Sequence, residues 1–187
     1  MDAEVERRVV HASGGLVPLA FVADLLTYVQ LQTVFLAGSL LALVLEALRL
    51  SGTIDLAVFD RLTREYEQEG LAGYALYVLS ITATLWLFRP EAAVPGALLL
   101  AFVDPVAGLL GSGELRRMKQ TFVLLATFGL STLVALVFVP SMPAILGGVA
   151  ATLADGVKPV VAGYVVDDNL TIPPAAAAAI TVGLWLV

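Results

Sequence analysis

Apolar residues in this chain come in long blocks, with neither the period-2 alternation of a half-buried strand nor a 3.6-residue stripe backed by a polar face. Seven blocks stand out, at about 14–29, 33–48, 71–88, 93–111, 122–139, 142–154 and 174–187. Helices that are apolar all round are solvated by a membrane rather than by water, and crossing one takes about 20 residues. Blocks 71–88, 93–111 and 122–139 meet that length directly, and 33–48 meets it with its flanks. Block 14–29 carries Pro18 and Asp24, and the last two blocks need flanking residues. The pattern predicts an all-α polytopic membrane bundle of about seven transmembrane helices, forming one domain over residues 1–187.

Composition agrees. Of 187 residues, 59% are hydrophobic and 14% charged, against roughly 45–50% and about 25% in a soluble domain. Mean hydropathy is +0.94. The absence of cysteine excludes disulfides, thiolate metal sites and thiol chemistry. A dispersed net charge of -6 gives no reason to expect a nucleic-acid partner. Because the first apolar block contains Asp24 and no small-residue cleavage pattern, a cleavable signal peptide is not expected.

Basic residues orient the bundle. With the N-terminus in the cytoplasm, Arg7, Arg8, Arg49, Arg61, Arg64, Arg116, Arg117, Lys119 and Lys158 fall in inner segments, and of the 10 Lys and Arg only Arg89 lies outside. The longest polar stretch, 51–70, pairs Asp60 with Arg64 and Arg61 with Glu65 at helical spacing, predicting an amphipathic helix on the cytoplasmic surface.

The inner helix ends also collect the chemistry. Asp104 lies within an apolar block, where a carboxylate costs roughly 2.5–3.5 kcal/mol at a helix centre unless it faces a partner, a cavity or an ion. Pro105 after it removes a backbone donor, and Gly108 and Gly111 permit close approach. The plain alternative is a carboxylate that caps or steadies a kink. Asp167, Asp168 and Asn169 offer oxygen ligands suited to Mg²⁺, or a polar turn capping the last helix. Lys119, with Arg116 and Arg117, is a candidate phosphate clamp or an anchor to anionic head groups. Asp155 and Lys158 close the sixth block, and Glu46 and Arg49, three apart, are placed to pair with each other. His11 is the single histidine, so an all-His metal site is excluded. No Walker phosphate loop, Gly-x-Ser-x-Gly elbow or His-Glu-x-x-His motif occurs. From the residues alone, the site is either a nucleotide and metal site or a transport vestibule.

Four stretches resemble the polyprenol kinase family, which includes dolichol kinase, the CTP-dependent diacylglycerol kinases and the phytol and farnesol kinases. They are Arg7-Arg8-Val9-Val10-His11 with Gly14 and Gly15, Glu46-Ala47-Leu48-Arg49-Leu50, Asp104-Pro105-Val106-Ala107-Gly108-Leu109-Leu110-Gly111, and Asp168-Asn169-Leu170-Thr171-Ile172-Pro173. They stand in family order over almost the whole chain. The chain departs from the pattern at Val103, where the family usually has Gly, and at Gln120-Thr121-Phe122-Val123, where a Lys-Ser/Thr stretch leads to Glu-Gly. Asp155 stands roughly where the family often has Glu.

The resemblance implies phosphoryl transfer from CTP to a membrane-embedded isoprenoid or other lipid alcohol, with Mg²⁺ as cofactor and the site on the cytoplasmic side of a multi-pass protein. It implies metal binding by Asp104, Asp168 and Asp155, and catalytic roles for Asp104, Asp168 and His11. Nucleotide or phosphate contacts would come from Arg8, Lys119, Asn169, Gly108 and Gly111, supported by Glu46 and Arg49. Two alternatives stand beside it. One is a cytidylyltransferase-like enzyme, although the chain lacks that family's Lys-Asp…His-Gly-Gly…Asp-Arg signature. The other is a small transporter or non-catalytic membrane component, although no inverted repeat is visible.

Overall fold

The computed structural model describes residues 3–54, 63, 68, 70–111, 118–157, 159–161 and 164–187. The regular structure among the described residues is helical apart from one antiparallel pair of two-residue strands, Val160–Val161 and Tyr164–Val165, and an isolated bridge between Met118 and Val157. The helices are α1 (Ala3–Ser13), α2 (Leu16–Val22), α3 (Tyr28–Leu50), α4 (Gly73–Leu87), α5 (Pro90–Leu110), α6 (Thr121–Ala135), α7 (Ser141–Gly156) and α8 (Asp168–Leu186). Three of them, α3, α5 and α8, are long and apolar enough to cross a membrane, and α4 and α6 are shorter apolar helices. Within the stretch expected to form a surface helix, 51–70, residues 55–62, 64–67 and 69 lie outside the described residues.

The first apolar block is not one helix. After α2 the chain turns at Asp24, which has φ 57, a backbone region disfavoured for a side chain with a Cβ. The next helix begins at Tyr28 because Thr27 and Gln30 form a reciprocal cap: the Gln30 N–H donates to Thr27 Oγ1 at 3.2 Å, and the Thr27 N–H donates to Gln30 Oε1 at 2.8 Å. Val29 therefore belongs to α3, and residues 14–29 contribute a short helix and a turn instead of a span.

Helix α5 is the centre of the bundle. Of its span window 67% is buried, against 28% for α3 and 39% for α8. Leu98, Leu99 and Leu100 of α5 pack with Leu31 and Phe35 of α3, Ile81 and Leu85 of α4, and Ile172 of α8. The exterior is apolar too: Trp185 is 82% exposed, and Leu40, Leu41, Leu87 and Val137 also face outward. An apolar core wrapped in an apolar exterior is the arrangement a lipid environment solvates.

Small residues set how closely the helices approach, as expected where packing rather than hydrophobic contrast joins them. A Cβ on Gly183 of α8 would meet Pro143 Cα of α7 at 2.6 Å, and one on Gly96 of α5 would meet the Pro173 carbonyl of α8 at 2.8 Å. Polar side chains cover backbone groups left open at helix ends. The Leu85 carbonyl near the end of α4 accepts from Tyr28 Oη at 2.7 Å and Gln32 Nε2 at 2.8 Å.

Candidate functional site

Two prolines build the site by removing backbone donors. Between Leu99 and Val103, α5 widens into a π turn, so the Asp104 N–H bonds back to the Leu99 carbonyl. The Leu100 carbonyl then has neither partner: Asp104 is already used, and Pro105, the next in π register, has no N–H. His11 Nε2 fills the gap at 2.9 Å. A carbonyl only accepts, so this nitrogen carries the proton. One turn further on, Arg8 Nη1 donates to the Pro105 carbonyl at 2.9 Å. These two bonds lay α1 across the irregular part of α5, with the His11 ring edge-on to Tyr77 at 4.6 Å.

The start of α8 is fixed in the same way. Pro173 cannot donate to the Asn169 carbonyl, and Ser80 Oγ of α4 does so at 2.5 Å. Asp167 caps the helix: its carboxylate accepts from the Asn169 N–H at 2.9 Å and from Asn169 Nδ2 at 2.6 Å. The capping role foreseen for this acidic cluster therefore belongs to Asp167, while Asp168 turns to another use.

Asp104 of α5, Asp155 of α7 and Asp168 of α8 bring one carboxylate oxygen each to within 4.8 Å of one another. Asp155 is 1% exposed and Asp168 5%. Lys119 lies against them, paired with Asp155 and 4.0 Å from Asp104. Its backbone is held in place, the Lys119 N–H donating to the Gly156 carbonyl at 3.0 Å and Met118 bridging to Val157. Thr127 Oγ1 of α6 reaches the second oxygen of Asp155 at 3.4 Å, and His11 Nε2 stands 3.7 Å from Asp104. Three helices thus bring their carboxylates into one cluster of hard oxygen donors, the donor type that Mg²⁺ and Ca²⁺ take.

The remaining sequence candidates divide. Lys119 is engaged by the carboxylates rather than projecting as a separate clamp. A Cβ on Gly108 would overlap the Arg8 guanidinium, so this glycine makes room for α1. Gly111 has extended backbone and ends α5, and a Cβ there would meet only the Ala107 and Gly108 carbonyls at 3.5 and 3.6 Å. Glu46 and Arg49 form a cluster of their own at the end of α3. Glu46, 1% exposed, accepts from Arg49 Nε at 3.0 Å, Arg49 Nη2 at 2.7 Å, the Ala72 N–H at 3.0 Å and Tyr74 Oη. Arg49 in turn donates to the Gly70 carbonyl at 2.6 Å. This network joins the end of α3 to the start of α4, so the two residues pair as their spacing suggested.

Tyr77, Ser80 and Thr127 were absent from the sequence-derived candidates. They are uncharged and sit inside apolar runs, where nothing in composition marks them. Pro173, four residues after Asn169, is the signal that could have called for Ser80.

No protein-family model, curated protein or solved structure matches this chain.

Proposed function

We propose that the chain is a multi-pass membrane enzyme that transfers a phosphoryl group from a nucleoside triphosphate, CTP by the motif resemblance, to the hydroxyl of a membrane-embedded lipid alcohol. The single observation that carries this reading is the meeting of Asp104, Asp155 and Asp168, with Lys119 beside them, at one end of the bundle. Phosphoryl transfer asks the protein for positioning and charge stabilisation. A soluble nucleotide must meet a membrane-bound hydroxyl, so such a site belongs at helix ends near the interface. Alternation of the basic residues favours the cytoplasmic side, with the N-terminus also inside.

Three carboxylates this close fit a divalent cation better than one another. Asp104, Asp155 and Asp168 would hold Mg²⁺. When bound, that ion neutralises charge on the triphosphate and on the leaving diphosphate. Lys119 balances the carboxylates and adds positive charge where phosphate oxygens gather, and Arg8 lies one helical turn along α5. In the reaction, the acceptor oxygen bonds to the γ-phosphorus as the bond from that phosphorus to the bridging oxygen breaks. The nucleoside diphosphate leaves with the bonding pair, and the acceptor proton passes to a carboxylate oxygen of Asp104 and on to water. His11 carries its Nε2 proton toward Leu100 and serves to place α1 and to polarise the cluster rather than to accept that proton.

The test uses purified protein in detergent with Mg²⁺ and γ-labelled CTP or ATP, offered dolichol, geranylgeraniol, phytol and diacylglycerol. Label should appear in a lipid phosphate, with the nucleoside diphosphate rather than pyrophosphate as co-product. Asp104→Asn and Asp168→Asn should each lower the rate at least a hundredfold while preserving expression, a loss typical of removing a group that stabilises transition-state charge. Full activity in either variant overturns the site. Solute flux into proteoliposomes without nucleotide would favour a transporter instead.

A further inference from the structure

A cavity of about 370 Å³ opens beside the carboxylate cluster. It is walled by α1, by α3 with Gly38, Leu41 and Leu45, and by α4 with Tyr77 and Val78. Its polar end is shared with the site, for Arg7, His11 and Asn169 also line it. His11 stands against Asp104, and Asn169 follows Asp168 in the chain.

Among the uncharged side chains at this end, two bury a polar atom without a hydrogen-bond partner in the protein: Tyr77 at Oη and Asn169 at Oδ1. Both residues are 7% exposed. Such atoms are rare in folded proteins because losing water without gaining a partner is costly, and they call for an explanation. Their chemistry is complementary. Asn169 Nδ2 is committed to Asp167, which fixes the amide orientation and leaves Oδ1 as an acceptor. Tyr77 Oη is a donor, and Gly14 leaves room for it, since a Cβ at that position would strike the hydroxyl. One donor and one acceptor beside an apolar wall describe the complement of a neutral hydroxyl on a hydrocarbon chain.

We infer that, before nucleotide binds, this cavity seats the hydroxyl end of a single-chain membrane alcohol, with Tyr77 Oη donating to the alcohol oxygen and the alcohol donating to Asn169 Oδ1; in the reacting complex the proton turns from Asn169 to Asp104. The inference rests on the lipid-alcohol reading above and adds the acceptor's seat and its selectivity. A volume near the lower end of the roughly 300–1,000 Å³ range of ligand pockets suits one chain lying along α3 and α4, not the two chains and glycerol of diacylglycerol. Gly38 keeps the wall open: a Cβ there meets nothing within 4 Å.

The experiment measures equilibrium binding of tritiated geranylgeraniol to the full chain in lipid nanodiscs, with Mn²⁺ binding followed by electron paramagnetic resonance on the same samples. The alcohol should bind, with geranylgeranyl methyl ether, which has no proton to donate, binding about threefold to tenfold more weakly. Tyr77→Phe removes the donor to the oxygen that alcohol and ether share, so it should lower the affinity of both by a similar factor. Its fold should persist, because the lost hydroxyl bonds to nothing in the protein. Gly38→Phe should fill the cavity and lower alcohol affinity more than tenfold, while replacing a helix-interior glycine with a better helix former. Equal binding of alcohol and ether, or undiminished alcohol binding in Gly38→Phe, overturns the seat, as does tighter binding of dioleoylglycerol. Normal Mn²⁺ binding alongside any of these confines the failure to the acceptor seat. Alcohol binding as expected without Mn²⁺ binding leaves the seat standing and removes the metal site.

Discussion

Replacing Lys119 with methionine keeps most of the stem and removes the cation from among three carboxylates. At an effective dielectric near 20, unit charges 4.0 Å apart, the Lys119–Asp104 separation, attract by about 4 kcal/mol, and the closer pair with Asp155 by more. The carboxylates repel one another at 4.8 Å or less by at least about 3.5 kcal/mol per pair when all are ionised, so the lysine carries much of the balance. Partial protonation of the cluster limits the damage, and breaking a buried pair at one partner typically costs about 3–5 kcal/mol. For a chain of this length each kcal/mol moves the melting point by about 2–4 °C. Lys119→Met should therefore melt roughly 10 °C below the parent in a chelator, read by tryptophan fluorescence in detergent. Titrating Mg²⁺ to a hundred times its Kd adds about 2.7 kcal/mol to a protein that binds it only when folded. At the same Mg²⁺ concentration it should add more in the variant, which binds the ion more tightly because no lysine competes for the carboxylates, and close most of the gap. A large loss that Mg²⁺ does not reduce would show that the cluster is an ion-pair network and not a cation site. Unchanged melting in the chelator would refute the charge balance itself.

The network at the end of α3 is structural, so Glu46→Gln should destabilise the fold by about 3 kcal/mol in thermal melts while Mn²⁺ affinity per folded molecule stays at the parent value. Gly183→Val should lower the melting temperature without altering metal affinity, because its Cβ meets Pro143 backbone rather than a side chain that can rotate away. The expected loss is about 1–3 kcal/mol.

The helices were legible in the sequence because their apolar blocks are long, and the residues of the acidic cluster were legible because charge inside or beside such blocks is conspicuous. Asp104, Asp155 and Asp168 each announce themselves in this way. Their meeting point is a tertiary fact, supported by a resemblance but set by helix packing through Gly96 and Gly183. Lys119 shows the limit most clearly: a lysine next to two arginines reads as a surface cation, and only the packing of α7 beside it reveals Asp155 as its partner. The break at Asp24 was hidden for a different reason. Residues 14–29 are apolar enough to suggest one span, and the Thr27–Gln30 cap that starts α3 is a short local signal inside that run. Neutral hydroxyls are hardest of all, since Tyr77 and Thr127 look like ordinary occupants of apolar helices until a cavity or a carboxylate is placed beside them.

Where a proline removes a donor, its neighbours must supply one, and this offers a test of how the site is held. Ser80→Ala leaves the buried Asn169 carbonyl without a partner and should cost about 1–3 kcal/mol. Pro173→Ala restores a backbone N–H four residues after Asn169, in register to donate to the same carbonyl. In the Pro173→Ala background the serine becomes redundant, and Ser80→Ala should cost under about 0.5 kcal/mol. The coupling energy from this double-mutant cycle should be at least about 0.5 kcal/mol, which separates a shared acceptor from two independent packing defects. The same cycle reports on function through Mn²⁺ affinity. Ser80 lies against the first turn of α8, the turn that carries Asp168, so the single Ser80→Ala variant should bind the ion more weakly and the double variant should recover. Additive stabilities, with Mn²⁺ affinity untouched in the single variant, would mean that the start of α8 is positioned by something other than the carbonyl its proline sets free.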